Sequence, residues 1–564
     1  MPTIRKGFVT VGSRQVHYRT AGSGPPVLVL HDSPRSSVLH IPLLEAFSDR
    51  FTAIAIDTPG YGNSDPLPAE PRPEIPDFGD ALADTIEAFG VARCPVYSFH
   101  TSSKITLDFA SKHPHRVAVA IMDGLSIPTG GPDEVYIANY MAPFVVYDHG
   151  GHLAEQWSKV LDFHRWFPWY AKTAKTRSQA DRRDMDFTHG YAMDLFMAGA
   201  NWTSAYSAAM RYNPLPPIPR LKARTIFTAR SSDVLFQFLD KIPQPLPAGA
   251  TIEKLGPERE PWEAWIRAKF EEFADFKGAA AFTPPDPLKG ADPRRLIAGY
   301  VAAGAGQILV RRTGAGGKRP IVFLHDVPGG TRVAAGLLHA LALDRPVYAL
   351  ELPGCGESSA LPEPSAAAYV ATIAAAMRNL GLKDCGLVAE YLATPLAVQL
   401  AQENPDLVHT LALDGAMLAD AATRGRLALA YCPDLTPRRD GGHLHTCWHM
   451  LRDREIHWPW YDGARAAARV IEPEIGGQRL QTMLVDILKQ PAHAGDAVQA
   501  ALSVDGARRL AGLRQPILTT SVERDPRHQW ASLARETAPR TTVVARARDN
   551  AERAMSFLRF FDGN

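Results

Sequence analysis

The second half of this 564-residue chain repeats the first at an offset of 291 to 294 residues, so whatever it folds into must occur twice. His31-Asp32-Ser33-Pro34 returns as His325-Asp326-Val327-Pro328, and Asp57-Thr58-Pro59-Gly60-Tyr61-Gly62-Asn63-Ser64 returns as Glu351-Leu352-Pro353-Gly354-Cys355-Gly356-Glu357-Ser358. Asp123-Gly124 matches Asp414-Gly415, and Gly150-Gly151-His152-Leu153 matches Gly441-Gly442-His443-Leu444. A period near 290 is far longer than a solenoid unit, so each copy is a globular domain. With 46% hydrophobic residues, each half can bury a sizeable core of its own.

Charge removes several function classes. Lys plus Arg total 61 and Asp plus Glu 60, a net charge of +1, so no global field draws in nucleic acid or an anionic membrane. The partner expected is a small-molecule substrate or ligand, with the two lobes as an internal pseudo-dimer open to homo-oligomerisation. The segment from Met1 to Gly7 leads into a strand-like stretch with no long apolar run, and a cytoplasmic protein is expected. Five scattered cysteines (Cys94, Cys355, Cys385, Cys432 and Cys447) suit reduced thiols better than a disulfide framework.

Short apolar runs such as Val27–Leu30 and Ala53–Ile56 end in Gly/Pro/Asp loops, as buried parallel strands do. After Asp123 the pattern turns to long, Trp-rich amphipathic segments, and strand-like runs return at Thr225. A helical insertion between two stretches of sheet accounts for this. The expected organisation is one domain over 1–277 with an insertion at about 135–215, a Pro-rich extended linker over 278–290, and a second domain over 291–564 with an insertion at about 425–505.

A strand ending in His-x-x-Pro, then a strand ending in Asp-x-Pro-Gly-x-Gly-x-Ser, then a strand-turn-helix with a proline fourteen residues past the turn, resembles the α/β-hydrolase fold with a helical cap. The resemblance covers nearly all of both halves. It implies two tandem α/β domains, each a mostly parallel sheet with helices on both faces and a cap over the carboxyl ends of the strands, where ligands bind.

The positions that carry that family's chemistry depart from it. Its nucleophile elbow reads G-x-S-x-G. Here the matching segments are Ser98-Phe99-His100-Thr101-Ser102 and Ala389-Glu390-Tyr391-Leu392-Ala393, with histidine at one apex and tyrosine at the other. Asp233 and Asp525 stand where the resemblance places the triad acid. Neither last-strand segment, Leu255–Glu260 or Val543–Arg548, contains the histidine base, so conventional Ser-His-Asp chemistry is excluded in both halves. Asp32 and Asp326 replace the glycine after the loop histidine. Unless they turn away and bond loop N–H groups, their carboxylates would oppose an oxyanion. His31 and His325 read as supports for that loop.

His100 and Asp233 are therefore the candidate catalytic pair. The helix dipole at the apex would disfavour imidazolium, leaving a neutral base or nucleophile. Ser33 and Thr101 flank that position as candidate binding residues, and Tyr391 takes the same place in the second copy. The repeated insertion segment adds His152, Trp157 and Tyr170, with His443 and Trp448 in the second copy, as a possible imidazole-and-aromatic ligand wall or as packing. His445, His449 and Asp453 fall at i, i+4 and i+8, but the first copy has Ala154 and Ser158 at the two histidine positions, and a solvated helix face is the better reading. No metal and no cofactor are expected. Two functions stay open: an enzyme using non-serine, His-based chemistry in the first lobe, hydrolytic or of lyase/isomerase type, and a catalytically degenerate pseudo-hydrolase that binds a ligand or assembles.

Overall fold

The computed structural model describes residues 3–128, 130–178, 181–278 and 280–564, and the fold divides into two compact units. The first comprises the chain up to Val145 with Gln156–Ala291, and the second comprises Val146–Glu155 with Asp292–Asn564. The first sheet runs β1 (Arg5–Val11), β2 (Arg14–Ala21), β3 (Pro26–Leu30), β4 (Thr52–Ile56), β5 (Cys94–Phe99), β6 (Val117–Asp123), β7 (Thr225–Arg230) and β8 (Ala250–Leu255) along the chain. In space the order is β1-β2-β4-β3-β5-β6-β7-β8. The first two strands pair antiparallel and β4 through β8 are parallel.

The second sheet has the same order. It consists of β9 (Ile297–Ala303), β10 (Gly306–Thr313), β11 (Ile321–Leu324), β12 (Val347–Leu350), β13 (Cys385–Glu390), β14 (Val408–Asp414), β15 (Ile517–Ser521) and β16 (Thr542–Ala545), arranged β9-β10-β12-β11-β13-β14-β15-β16. Two tandem α/β domains with mostly parallel sheets are thus observed. Strands β3, β4 and β6 are buried along their whole length, because helices cover both faces of a parallel sheet and leave no residue for solvent. Val27, Val29, Val119 and Ile121 pack on one face with Phe47, Phe51 and Phe270.

Helices Glu134–Tyr140, Gly151–Phe163, Met185–Ala198 and Ser204–Arg211 stand between β6 and β7, and five helices from Ala421 to Leu510 stand between β14 and β15. Aspartates start several of them: Asp133 accepts from Tyr136 N, Asp184 from Phe187 N and Asp420 from Thr423 N. Among the described residues no helix is long and apolar enough to cross a membrane.

Two boundaries differ from the sequence expectation. Residues 280–291 belong to the first unit rather than forming a free linker, because Phe282 packs edge-on against Tyr18 and Phe89 at 5.9 and 5.6 Å and burial outweighs the extended bias of the prolines. Ala279 lies outside the described residues. Val146–Glu155, expected within the first insertion, belongs to the second unit, where His152 Nε2 lies 2.9 Å from Gln481 Oε1.

Candidate active site

β5 ends at Phe99, and the chain then turns through His100 at φ +51° into the helix Thr101–Lys112. A non-glycine residue in this region carries backbone strain, a hallmark of elbows that push one side chain out above a sheet. Gly124 makes the turn possible, since a Cβ there would lie 2.4 Å from His100 Cδ2. The imidazole stacks on Phe99 at 3.9 Å and places Nε2 at 3.0 and 2.9 Å from the two carboxylate oxygens of Asp233. Asp233 itself is fixed by Leu235 N, which donates to its Oδ1 at 2.8 Å. Among the described residues Nδ1 of His100 makes no hydrogen bond.

The electrostatics reverse one expectation. Burial pulls the imidazole pKa down, but the charge and hydrogen bond of Asp233, with smaller help from Asp32 and Asp123, raise it to about 9. The neutral imidazole expected from the helix dipole is thus not favoured, because a carboxylate in contact outweighs a dipole end. The resting site is an imidazolium–carboxylate pair, with the Asp233 pKa held below the usual carboxylate range.

A cavity of about 440 Å³ ends at His100. Ser33, Thr101, Lys104 and Tyr206 are among its polar points, with Asp133 and Lys241 also in the lining, and Ile127, Ile137, Phe167, Met210, Leu235 and Phe238 are among its apolar residues. Lys104, one helical turn past His100, was not singled out in the sequence. Its Nζ donates to Ala209 O at 2.8 Å and Tyr212 O at 3.3 Å, and burial lowers its pKa to about 7. Spacing of i+4 from the apex is the signal that could have found it.

Behind the elbow, Asp123 accepts from Tyr97 OH at 2.8 Å and Trp262 Nε1 at 2.9 Å, and burial raises its pKa to about 6. Asp32 forms no side-chain hydrogen bond among the described residues, and burial raises its pKa against the opposing charges of His100 and Arg35. The loop histidines do support their loops. His31 Nε2 accepts from Thr58 N at 2.9 Å and His325 Nε2 from Leu352 N at 3.0 Å, while each Nδ1 donates to the next carbonyl along the chain.

The second lobe carries the same turn with different chemistry. Tyr391 has φ +39°, and a Cβ on Gly415 would lie 2.6 Å from its ring. Where His100 meets Asp233, here Arg527 intervenes, bonded to Asp525 at 2.8 and 2.7 Å and lying 4.2 Å from the centre of the Tyr391 ring. Asp326 Oδ1 accepts from Val327 N at 2.9 Å and from Leu392 N at 3.0 Å. Leu392 N is the amide that follows the apex, one of the two donors an oxyanion would need. The second lobe's own carboxylate occupies it.

Other candidates from the sequence fall elsewhere. His152 Nδ1 accepts from Tyr147 N and His443 Nδ1 from Arg438 N, both at 3.1 Å and both five residues upstream, so the repeated histidine ties a loop to the start of its helix. Trp157 and Trp448 are buried, and Trp448 stands edge-on to His152 at 5.1 Å. None of these four lines either lobe's cavity at the elbow, because burial of Trp and a loop-bonded His leaves nothing for a ligand. Tyr170 stands behind the first cavity, 6.1 Å from Tyr136 of its wall. Among the described residues no group of three His, Cys, Asp or Glu side chains is placed to hold a metal ion.

The family model of the alpha/beta hydrolase fold matches residues 319–436, from β11 through the elbow to the first helix after β14. The matched segment and the strand order shared by the two sheets give both lobes the α/β-hydrolase fold. The chain is similar to 2-(acetamidomethylene)succinate hydrolase of Mesorhizobium japonicum, 31% identical over 109 residues, which are 19% of this chain and 38% of that protein. It is also similar to haloalkane dehalogenase of Sphingobium indicum, 29% identical over 133 residues, 22% of this chain and 44% of that protein. The chain spans about half the length, or less, of the curated relatives it matches. Among solved structures, epoxide hydrolase A from Mycobacterium thermoresistibile aligns at 16% identity with a TM-score of 0.40, covering 49% of this chain and 100% of that one.

No serine of the first lobe's elbow is placed as a nucleophile. Ser98 Oγ donates to Ile121 O, Ser102 Oγ to Leu30 O, and Ser103 Oγ to Asp123 O, and all three are buried. A fluorophosphonate probe is therefore expected to leave the protein unlabelled. Stoichiometric modification of any of the three, located by mass spectrometry, would mean that the elbow apex is not His100.

Proposed function

We propose that the first lobe is an enzyme site that acts on a small organic substrate through the His100–Asp233 pair, without a serine nucleophile. The observation that carries this reading is the cavity of about 440 Å³ ending at an imidazole 2.9 Å from a buried carboxylate. The mostly apolar wall suits a substrate with an apolar body and one polar group, a carbonyl or ester oxygen, directed at His100. At neutral pH the imidazolium can donate its Nδ1 proton to that oxygen or to a departing group. What remains is a neutral imidazole whose Nε2–H still bonds Asp233, ready to take a proton from water or from carbon. Hydrolysis of an ester or related bond and a lyase or isomerase step both fit this cycle.

The degenerate reading has support in the second lobe. There Asp326 fills the amide that an oxyanion would use, Tyr391 replaces the imidazole, and Asp525 is committed to arginines.

The test is the titration of His100. In a proton–carbon NMR spectrum its imidazole is expected to titrate near pH 9, and in Asp233→Asn near or below the unperturbed value of about 6.5. Turnover that needs the acid form should fall as pH rises through about 9. Because the folded pKa is raised, the contribution of His100 to stability is complete below about pH 6.5 and is lost as pH rises through the folded value, while that of Asp233, whose pKa is lowered, is lost as pH falls through the carboxylate range. Asp233→Asn should flatten that part of the unfolding profile. A wild-type imidazole that titrates at or below about 6.5 would defeat the reading.

A further inference from the structure

The second lobe has tyrosine at its apex, and its remaining carboxylate, Asp525, is bound to Arg527 and Arg469, yet the space above its elbow is still open. A cavity of about 330 Å³ lies over Tyr391, and its lining contains seven arginines against five carboxylates and no histidine. Four of those carboxylates are each matched to an arginine of the same lining: Asp326 to Arg454, Glu390 to Arg553, Glu455 to Arg469 and Glu474 to Arg479. The guanidinium groups nearest the apex are held differently. Arg527 and Arg546 stack against the Tyr391 ring at 4.2 and 5.1 Å. Their counter-charges, Asp525 and Asp414, lie outside the cavity lining.

This arrangement leaves donors over. Arg527 uses Nε and Nη2 on Asp525, so Nη1 is left. Arg546 uses Nε on Asp414 at 2.9 Å, and among the described residues its terminal nitrogens make no hydrogen bond. Arg548, on the rim, is exposed and has no ion pair among the described residues. Oriented, partly desolvated guanidinium forks with spare N–H groups are the usual receptor for a planar carboxylate. Trp458, Ile471 and Met483 give the same cavity an apolar side on which a carbon skeleton can rest.

We propose that the second lobe is a binding site for a small organic carboxylate, held between Arg527, Arg546 and Arg548 over Tyr391 and not turned over. Asp326 on the Leu392 amide accounts for the missing chemistry, and the spare N–H groups of Arg527 and Arg546, with Arg548 on the rim, set the sign of the ligand. This assignment does not depend on the catalytic reading of the first lobe.

The experiment is isothermal titration calorimetry of the full-length protein with succinate, and separately with inorganic phosphate. Succinate is expected to bind, more weakly as salt rises, and with unchanged affinity in His100→Ala. Losing one charge-assisted hydrogen bond to a carboxylate corresponds to about tenfold or more in affinity, the loss expected for Arg546→Met. Because Arg546 also neutralises Asp414, that variant is accompanied by Arg548→Ala, which removes no ion pair and should fold normally while still weakening succinate several-fold. No succinate binding at about 10 mM to the folded wild type would overturn the proposal. So would phosphate binding without succinate binding, succinate affinity that both arginine variants leave intact, or its loss in His100→Ala, which would move the ligand to the first lobe.

Discussion

Replacing His100 by alanine is expected to lower turnover at least about a hundredfold, the contribution of a positioned proton-transfer group, whereas Tyr391→Phe should leave most of the activity. The asymmetry follows from what each apex touches. His100 Nε2 bonds a carboxylate at 2.9 Å and borders an open, largely apolar cavity, so its loss removes the acid and strands Asp233. The Tyr391 ring lies between two guanidinium groups, and removing its hydroxyl keeps those stacking contacts. The comparison is kcat on a substrate found by screening small esters, lactones and enolisable ketones, for variants with matched melting temperature. The reverse ranking would place the active site in the second lobe, and equal activity in both variants would make neither apex essential.

Asp414→Ala is expected to destabilise the second unit by about 3–5 kcal/mol, the range for removing one partner from a buried ion pair. Burial alone would raise the pKa of Asp414, but Arg546 and Arg553, with a hydrogen bond from Thr520 Oγ1 at 2.6 Å, bring it down to about 2. Without it, two guanidinium groups remain in a poorly solvated space facing each other's charge. The matching residue of the first unit, Asp123, is bonded to Tyr97 and Trp262 instead of to arginines, so Asp123→Asn keeps an acceptor and should cost only about 1 kcal/mol. Urea unfolding followed separately for the two transitions measures both. A loss below about 1 kcal/mol in Asp414→Ala would show that the arginines find other partners.

The repeat made the architecture legible, because two copies of one motif order leave few folds open. The apex residues and Asp233 could also be located by counting from loops whose glycines and prolines fix their geometry. What the sequence hid was the charge state of His100. Its local signal, a helix start, argued for a neutral ring, while the deciding group sits 133 positions further along the chain. The insertion histidines misled for the opposite reason. Identical residues at identical spacing looked like a ligand site, but a loop that must be tied to a helix is repeated as faithfully as chemistry is. Arginines 527, 546 and 553 are scattered in sequence and converge only where the segments after β15 and β16 meet the last helix, Asn550–Asp562.

Gly124 and Gly415 lie in the strand-end turns that follow Asp123 and Asp414, and in each unit the missing side chain is the space into which the apex ring fits. A family elbow needs room for one hydroxymethyl group, but these two hold an imidazole and a phenol. In both units the floor beneath the apex has room for a ring, so a change of apex residue needs no matching change beneath it. An apex of this build therefore accepts a different ring-bearing residue by a single substitution in either lobe.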